Sequence, residues 1–460
     1  MADTTTKDMT QGPILREILT FAFPLMLGNI FQMLYNTVDS IVVGRFVGTE
    51  ALAAMGATTL IANMAVFFFN GFSVGAGVVI GRLFGARNLE KLHEAVETTI
   101  FTTILMSIIF TGIGIFGADF LLRVMATPAD VFDGASLYLR IYFAGVSGLL
   151  IYNMGSSILR AVGDSTRPLY FLILTSVLNI VLDLIFVLGF GSGIGGAALA
   201  TIISQFISAF LTMFLLTRTK DIYRVTWRDL RLNSEIFRQI LTIGLPTGIQ
   251  SAITAFSNMF VQAYVNYFGS TVMAGWAAYN KLNQFVMLPM QTMAMAATTF
   301  VSQNVGSGNV QRENKGTKIS IAVTLLITFA VVTAVELFSG PAVGLFTNDP
   351  EVVLSGQLFL HVNMYFLMFN CVNHVLAGSL RGRSDSMGPM IIMLLSFVLI
   401  RQIYLFFFTR FISNTPGTVG FGYPVGWMSC CVIEVIYFLL RWNRREKADA
   451  RAIHDEKHNT

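Results

Sequence analysis

The chain repeats itself, and both copies are strings of membrane-length apolar segments. Ile18-Leu19-Thr20-Phe21-Ala22-Phe23-Pro24 returns as Ile240-Leu241-Thr242-Ile243-Gly244-Leu245-Pro246. Gly85-Ala86-Arg87-Asn88 returns as Gly306-Ser307-Gly308-Asn309, and the stretch from Leu159 to Ser165, with Pro168, returns from Leu380 to Ser386, with Pro389. The offset is about 221 residues, with one residue gained or lost near the start. Only 12% of the residues are charged and 54% are hydrophobic, roughly half the charge of a soluble domain. The pattern predicts an all-α polytopic membrane protein, because lipid leaves the backbone no partner outside its own helix or a closed barrel. A duplicated helical membrane protein has the organisation of a secondary transporter, whose site lies between repeats near the bilayer midplane.

Twelve spans are expected, at roughly 15–44, 53–82, 94–117, 134–159, 168–190, 195–217, 237–267, 273–303, 317–340, 354–380, 388–410 and 420–442. They divide into an N-lobe over 1–217, a basic linker over 218–236, a C-lobe over 237–442 and a tail over 443–460. Six spans per lobe send both lobes into the membrane in the same direction. The two six-helix bundles should therefore be related by a pseudo-twofold axis along the membrane normal. About 24 of the 30 lysines and arginines fall in alternate polar segments that include both ends of the chain, which puts both termini in the cytoplasm. The joining segment 217–238 interleaves Arg218, Lys220, Arg224, Arg228, Arg231 and Arg238 with Asp221, Asp229 and Glu235. It reads as a solvated segment on anionic headgroups, and nothing in it forms a nucleic-acid-binding face. Cys371, Cys430 and Cys431 lie inside apolar runs without ligand spacing and read as packed thiols. The first apolar segment belongs to the repeat and reads as a retained span, not a signal peptide.

Ionisable groups within spans carry the strongest functional signal, since each costs about 2.5–3.5 kcal/mol at the bilayer centre. Asp39 shares a helix face with Asn36 and Gln32, and Asp183 shares one with Asn179. Thr201 in the sixth span adds a hydroxyl. Two carboxylates with amide oxygens nearby suit Na⁺, or a proton shared between them. The competing reading has each acid hydrogen-bonding a neighbouring helix. At the repeat offset Asn179, Asp183 and Thr201 become Ile400, Tyr404 and Gly422, and Asp39 falls in apolar sequence around Phe260 and Val261. A cluster required by the fold should tend to recur, so its asymmetry favours a cation site confined to the first half.

Arg401 and Glu434 read as a buried ion pair, Lys281 opens a polar stretch of the eighth span, and His374 reads as packing. Pro24 interrupts the first span's hydrogen-bond ladder and is a candidate hinge for Asp39, with a static kink as the alternative. Gln32, Tyr35, Asn36, Asn153, Gln284, Met287 and Met290 are the candidate substrate-cavity residues. Methionines can re-pack around varied apolar ligands, although ordinary packing is the commoner use.

The pattern Pro24, Gln32, Tyr35, Asp39, the loop Gly85-Ala86-Arg87 and the segment Leu159-Arg160-Ala161-Val162-Gly163-Asp164 resemble the multidrug and toxic compound extrusion family across almost the whole chain. Asp39, Asn179, Asp183 and Thr201 match the first-lobe cation site of its DinF-like branch. The NorM-like branch has acids in the seventh and tenth spans, where this chain has Gln262, Asn266, Asn363, Asn370 and Asn373. The resemblance implies an antiporter, not an enzyme, that exports organic cations or amphipathic compounds for Na⁺ or H⁺ by alternating access. It implies no cofactor beyond the coupling ion, a Na⁺ site at Asp39, Asn179 and Asp183 if sodium drives it, and membrane lipid as surroundings. A monomer in a plasma membrane is expected, bacterial because no Asn-x-Ser/Thr sequon occurs. The rival is a flippase for lipid-linked oligosaccharides, which needs a cationic central cavity.

Overall fold

The computed structural model describes residues 7–125 and 127–458. Residues 1–6 of the expected N-lobe and 459–460 of the expected tail lie outside the described residues. The described chain is helical: α1 (Ile14–Val42), α2 (Thr49–Gly85), α3 (Leu89–Val124), α4 (Ala129–Ala144), α5 (Val146–Ala161), α6 (Thr166–Asp183), α7 (Gly193–Arg218), α8 (Ser234–Asn266), α9 (Ser270–Gly306), α10 (Val310–Leu337), α11 (Ser339–Gly344), α12 (Pro350–Asn363), α13 (Leu367–Gly382), α14 (Met387–Met393), α15 (Arg401–Phe407), α16 (Pro416–Gly420) and α17 (Gly422–His458). Wider π-type turns follow α1, α6, α14 and α15. Among the described residues, eleven helices are long and apolar enough to cross a membrane, and α4 with α5 makes a twelfth that bends by 45°. The bend sits at Gly145, where an added Cβ would lie 2.3 Å from Ile202 of α7. Large apolar side chains such as Phe116, 90% exposed, face outward, an arrangement suited to lipid.

The duplication extends to the backbone. Left-handed residues occur at Gly48 and Gly269, at Arg87 and Gly308, and at Gly163 and Ser384, each pair at the repeat offset. Each closes one helix so that the next starts at an equivalent residue: α2 with α9, α3 with α10, α6 with α14. Side-chain caps repeat as well. Asn88 Oδ1 accepts from the Lys91 N–H, and Asn309 Oδ1 from the Arg312 N–H. Asp164 Oδ1 accepts from the Thr166 and Arg167 N–H groups, and Asp385 Oδ1 from the Gly388 N–H. These residues satisfy the orphan donors of a helix start, which explains why they stand out in the repeated sequence.

Two compact units result: unit 1 holds 1–252 and 299–313, and unit 2 holds 253–298 and 314–460. In unit 1, α1 packs on α6, α6 and α5 on α7, and α2 on α5. Gly71 and Gly75 of α2 meet Gly244 and Gly248 of α8, and a Cβ on Gly71 would lie 2.4 Å from the Gly248 nitrogen. Two Gly-x-x-x-Gly faces thus allow backbone contact without side chains between. The segment 219–233 is not a free linker. Tyr223 and Val225 are buried with Leu92, Val96 and Ile236, so its apolar residues dock on α3 although its charges suggest a solvated strand. Unit 2 centres on Trp276, whose ring lies 4.9 Å from Tyr279 and 4.8 Å from Phe359. All three cysteines are buried and free.

Candidate functional site

The first-half polar residues converge within unit 1. Asp39 lies near the end of α1 and Asp183 ends α6, and the packing of α1 on α6 brings the two acids together. Asp39 is 5% exposed and Asp183 fully buried. The two carboxyl groups lie within electrostatic and hydrogen-bonding reach of each other. Among the described residues, no donor reaches Asp39 Oδ1 or either Asp183 oxygen. Two buried carboxyl groups this close repel unless a proton or a cation lies between them. One turn before Asp183, Asn179 is buried with both amide atoms unpartnered. Unsatisfied buried polar atoms are costly and uncommon in folded proteins, and here they cluster at one place.

Asn179 opens onto a cavity of about 50 Å³ also lined by Gln32, Tyr35, Asn153 and Thr201. One water needs roughly 10–15 Å³ by the same measure, so a few fit. Tyr35 lies in electrostatic reach of both acids. Thr201 Oγ1 donates to the Ala197 carbonyl at 3.1 Å, leaving its lone pairs for a ligand. Asn36 is exposed and is not among the lining residues. Gln284, Met287 and Met290 belong to unit 2. Gln284 is exposed, while Met290 is fully buried in that unit's apolar core with Met287 against it.

Other lining residues escaped the sequence reading: Tyr152, Thr175, Ser176, Ser204, Gln205 and Ser208. Their signal was present. Thr175, Asn179 and Asp183 recur every four residues, and Thr201, Ser204 and Ser208 follow at three and four. Small hydroxyl residues at helical spacing in two adjacent spans mark facing polar stripes. Ser208 Oγ does donate to Thr175 Oγ1 across α6 and α7 at 2.9 Å.

The expected pairing of Arg401 with Glu434 is not formed. Arg401, 2% exposed, donates from Nη2 to Ser257 Oγ and to Asn258 Oδ1, and from Nε to the Phe397 carbonyl. Its guanidinium also lies 4.9 Å from the Tyr423 ring centre. Glu434, fully buried, has Arg381 as its electrostatic partner and accepts a long hydrogen bond from the Cys430 thiol. Opposite charges in adjacent spans suggested a pair, but a guanidinium is satisfied as well by hydroxyl, amide, carbonyl and aromatic face. Lys281 is exposed. His374 neighbours Asn373, whose amide donates to the Trp427 carbonyl at 3.1 Å.

The MatE family profile matches 24–185 and 246–406, two stretches that restart at the repeat. The chain is 29% identical over 443 residues to the probable multidrug resistance protein YpnP of Bacillus subtilis (strain 168), covering 95% of this chain and 97% of that protein. It is 22% identical over 382 residues to the multidrug export protein MepA of Staphylococcus haemolyticus (strain JCSC1435), covering 83% and 84%. The structure of an outward-facing multidrug resistance MATE family transporter of the MOP superfamily matches with a TM-score of 0.91 and 25% identity, over 97% of this chain and all of that one. A helical membrane fold duplicated down to its turns, matched in both copies by one profile, establishes that this chain belongs to the MatE family of transporters.

Proposed function

We propose that this chain is a secondary active antiporter that exports organic cations or amphipathic compounds in exchange for Na⁺ or H⁺. The carrying observation is the closeness of Asp39 and Asp183, two buried acids from different helices with, among the described residues, no donor at three of their four oxygens. A cation placed there removes the repulsion, and Asn179 and Thr201 offer further hard oxygen ligands. Each unit charge entering along the membrane potential contributes about 2.3 kcal/mol per 100 mV, which drives release of the cargo. Confinement of the acids to the first half supports assignment to the DinF-like branch. The relatives' names, which speak of multidrug resistance and export, support a broad small-molecule cargo. In this reading the protein works as a monomer in the bacterial inner membrane with both termini cytoplasmic.

Reconstitution into proteoliposomes with a Na⁺ or a pH gradient imposed separately tests the reading. Gradient-driven dye efflux should fall at least tenfold in Asp39→Asn and in Asp183→Asn. Efflux that follows a gradient unchanged in both variants would refute the assignment.

A further inference from the structure

The docked segment 219–233 brings together a second set of ligand-bearing side chains, outside the cavity. Arg231 Nη2 donates to Glu94 Oε1 and Asn233 Nδ2 to Glu94 Oε2, each at 3.0 Å. The Asn233 backbone N–H donates to Thr98 Oγ1 at 3.1 Å. This docking carries Asp229 to His93 and Glu97, which lie four apart on one face of α3. One ligand atom from each of the three residues lies within 4.8 Å of the other two.

The set is poorly satisfied as it stands. Glu97 is 1% exposed. Its Oε1 lies 2.7 Å from His93 Nε2, yet receives no aligned hydrogen bond. Thr226 Oγ1 lies 3.4 Å from the same nitrogen. Arg231 is in electrostatic reach of Glu97 but is engaged by Glu94. His93 and Arg231 offset part of the charge on buried Glu97, while Asp229 and Glu94 add to it, and a cation joining the carboxylates would complete the compensation.

We propose that His93, Glu97 and Asp229 bind a divalent transition ion of the zinc type, which staples the segment joining the two repeats onto α3. One imidazole nitrogen and two carboxylate oxygens are ligands that Zn²⁺ takes, with a water completing four-coordination. Tetrahedral bonds of about 2.1 Å set ligand atoms about 3.4 Å apart, so the three need only small side-chain rotations. Mg²⁺ fits less well, since it prefers six oxygens and keeps its water.

The experiment is titration of the purified full-length protein in detergent with Zn²⁺ against a chromophoric chelator, with Co²⁺ absorption as a report of geometry. One saturable Zn²⁺ per chain is expected, with affinity reduced at least tenfold in His93→Ala and in Asp229→Asn and a tetrahedral Co²⁺ band lost in both. Asp229 is exposed, so Asp229→Asn should keep the metal-free melting temperature even where a change at buried Glu97 would not. Absence of saturable binding, or binding that survives both substitutions, overturns the proposal.

Discussion

Gly85 and Gly306 hold the same place in the two repeats and make reciprocal backbone contacts within unit 1. A Cβ on Gly85 would lie 1.9 Å from the Gln303 carbonyl oxygen, and one on Gly306 would lie 1.9 Å from that of Arg82. Arg82 and Gln303 are themselves repeat equivalents. The obstructing atoms are main chain, so rotamer changes cannot relieve the clash. Gly85→Val and Gly306→Val should each lower the melting temperature by the equivalent of about 1–3 kcal/mol or more, and to similar extents. Gly117→Ala is the control, because nothing lies within 4 Å of its Cβ position, and alanine there should be neutral or stabilising by up to about 1 kcal/mol. Unequal losses at Gly85 and Gly306 would show that the contact is not reciprocal.

Asn179 separates ligand from scaffold. Both of its amide atoms are buried and unpartnered, so Asn179→Leu removes no protein hydrogen bond and exchanges the amide for a group of similar volume. Such a change should leave thermal stability within about 1 kcal/mol or raise it, while the Na⁺ or H⁺ concentration giving half-maximal efflux rises at least tenfold. A melting temperature that falls sharply with coupling intact would assign Asn179 to the scaffold instead.

The parts of this fold legible in the sequence were those set by backbone chemistry. Pro24 and Pro246 each stand inside a continuous helix, while Asn88 and Asn309, and Asp164 and Asp385, each fix a helix start, so both copies retain them. Gly48 and Gly269 do the same work, yet as single glycines among many they carried no visible signal. Asp39, Asn179 and Asp183 stood out because charge and amides are rare in apolar spans. The hydroxyl stripes beside them did not, since serine and threonine are common in membrane helices. The docking of 219–233 was hidden for the opposite reason: Tyr223 and Val225, which drive it, sit among six charges that read as solvated.

Arg401 and Glu434 supply a direct test of which charges are coupled. A double-mutant cycle on Arg401→Met and Glu434→Gln should return a coupling below about 0.5 kcal/mol, as for independent sites. The same cycle on Arg381→Met and Glu434→Gln should return about 0.5–3 kcal/mol. Melting temperatures of the four proteins in each cycle give both values. Strong coupling of Arg401 to Glu434 would contradict the partners assigned to the guanidinium.

Tyr223 makes the attachment of 219–233 sensitive to alkali. Its hydroxyl donates to Asp221 Oδ2 at 2.9 Å and accepts from Arg167 at 3.4 Å. Burial, with the Asp221 carboxylate beside it, pushes the hydroxyl from its usual 10.0 up to about 12. The folded protein thus favours the neutral phenol, and that preference stabilises fully below pH 10 and is lost as pH rises towards 12. Tyr223→Phe should cost about 0.5–1.5 kcal/mol at neutral pH, and the difference from the parent should shrink above pH 10. Thermal melts across that range check it, and a constant difference would place Tyr223 ionisation outside the docking energetics.

Pro24 lies within α1, the helix that carries Asp39, and α1 continues through it from Ile14 to Val42. Proline there removes one main-chain donor and crowds the preceding turn, at a cost of about 3 kcal/mol in a helix interior. Retention of so unfavourable a residue is explained if α1 must bend at that point when the cation enters or leaves. Pro24→Ala should then raise the melting temperature or leave it unchanged while slowing gradient-driven efflux several-fold. Equilibrium binding of the coupling cation should persist, because Pro24 lies about four turns from Asp39 along the helix. A variant that is more stable and transports at the parental rate would reduce Pro24 to a static kink, and the motion of Asp39 against Asp183 would need another pivot.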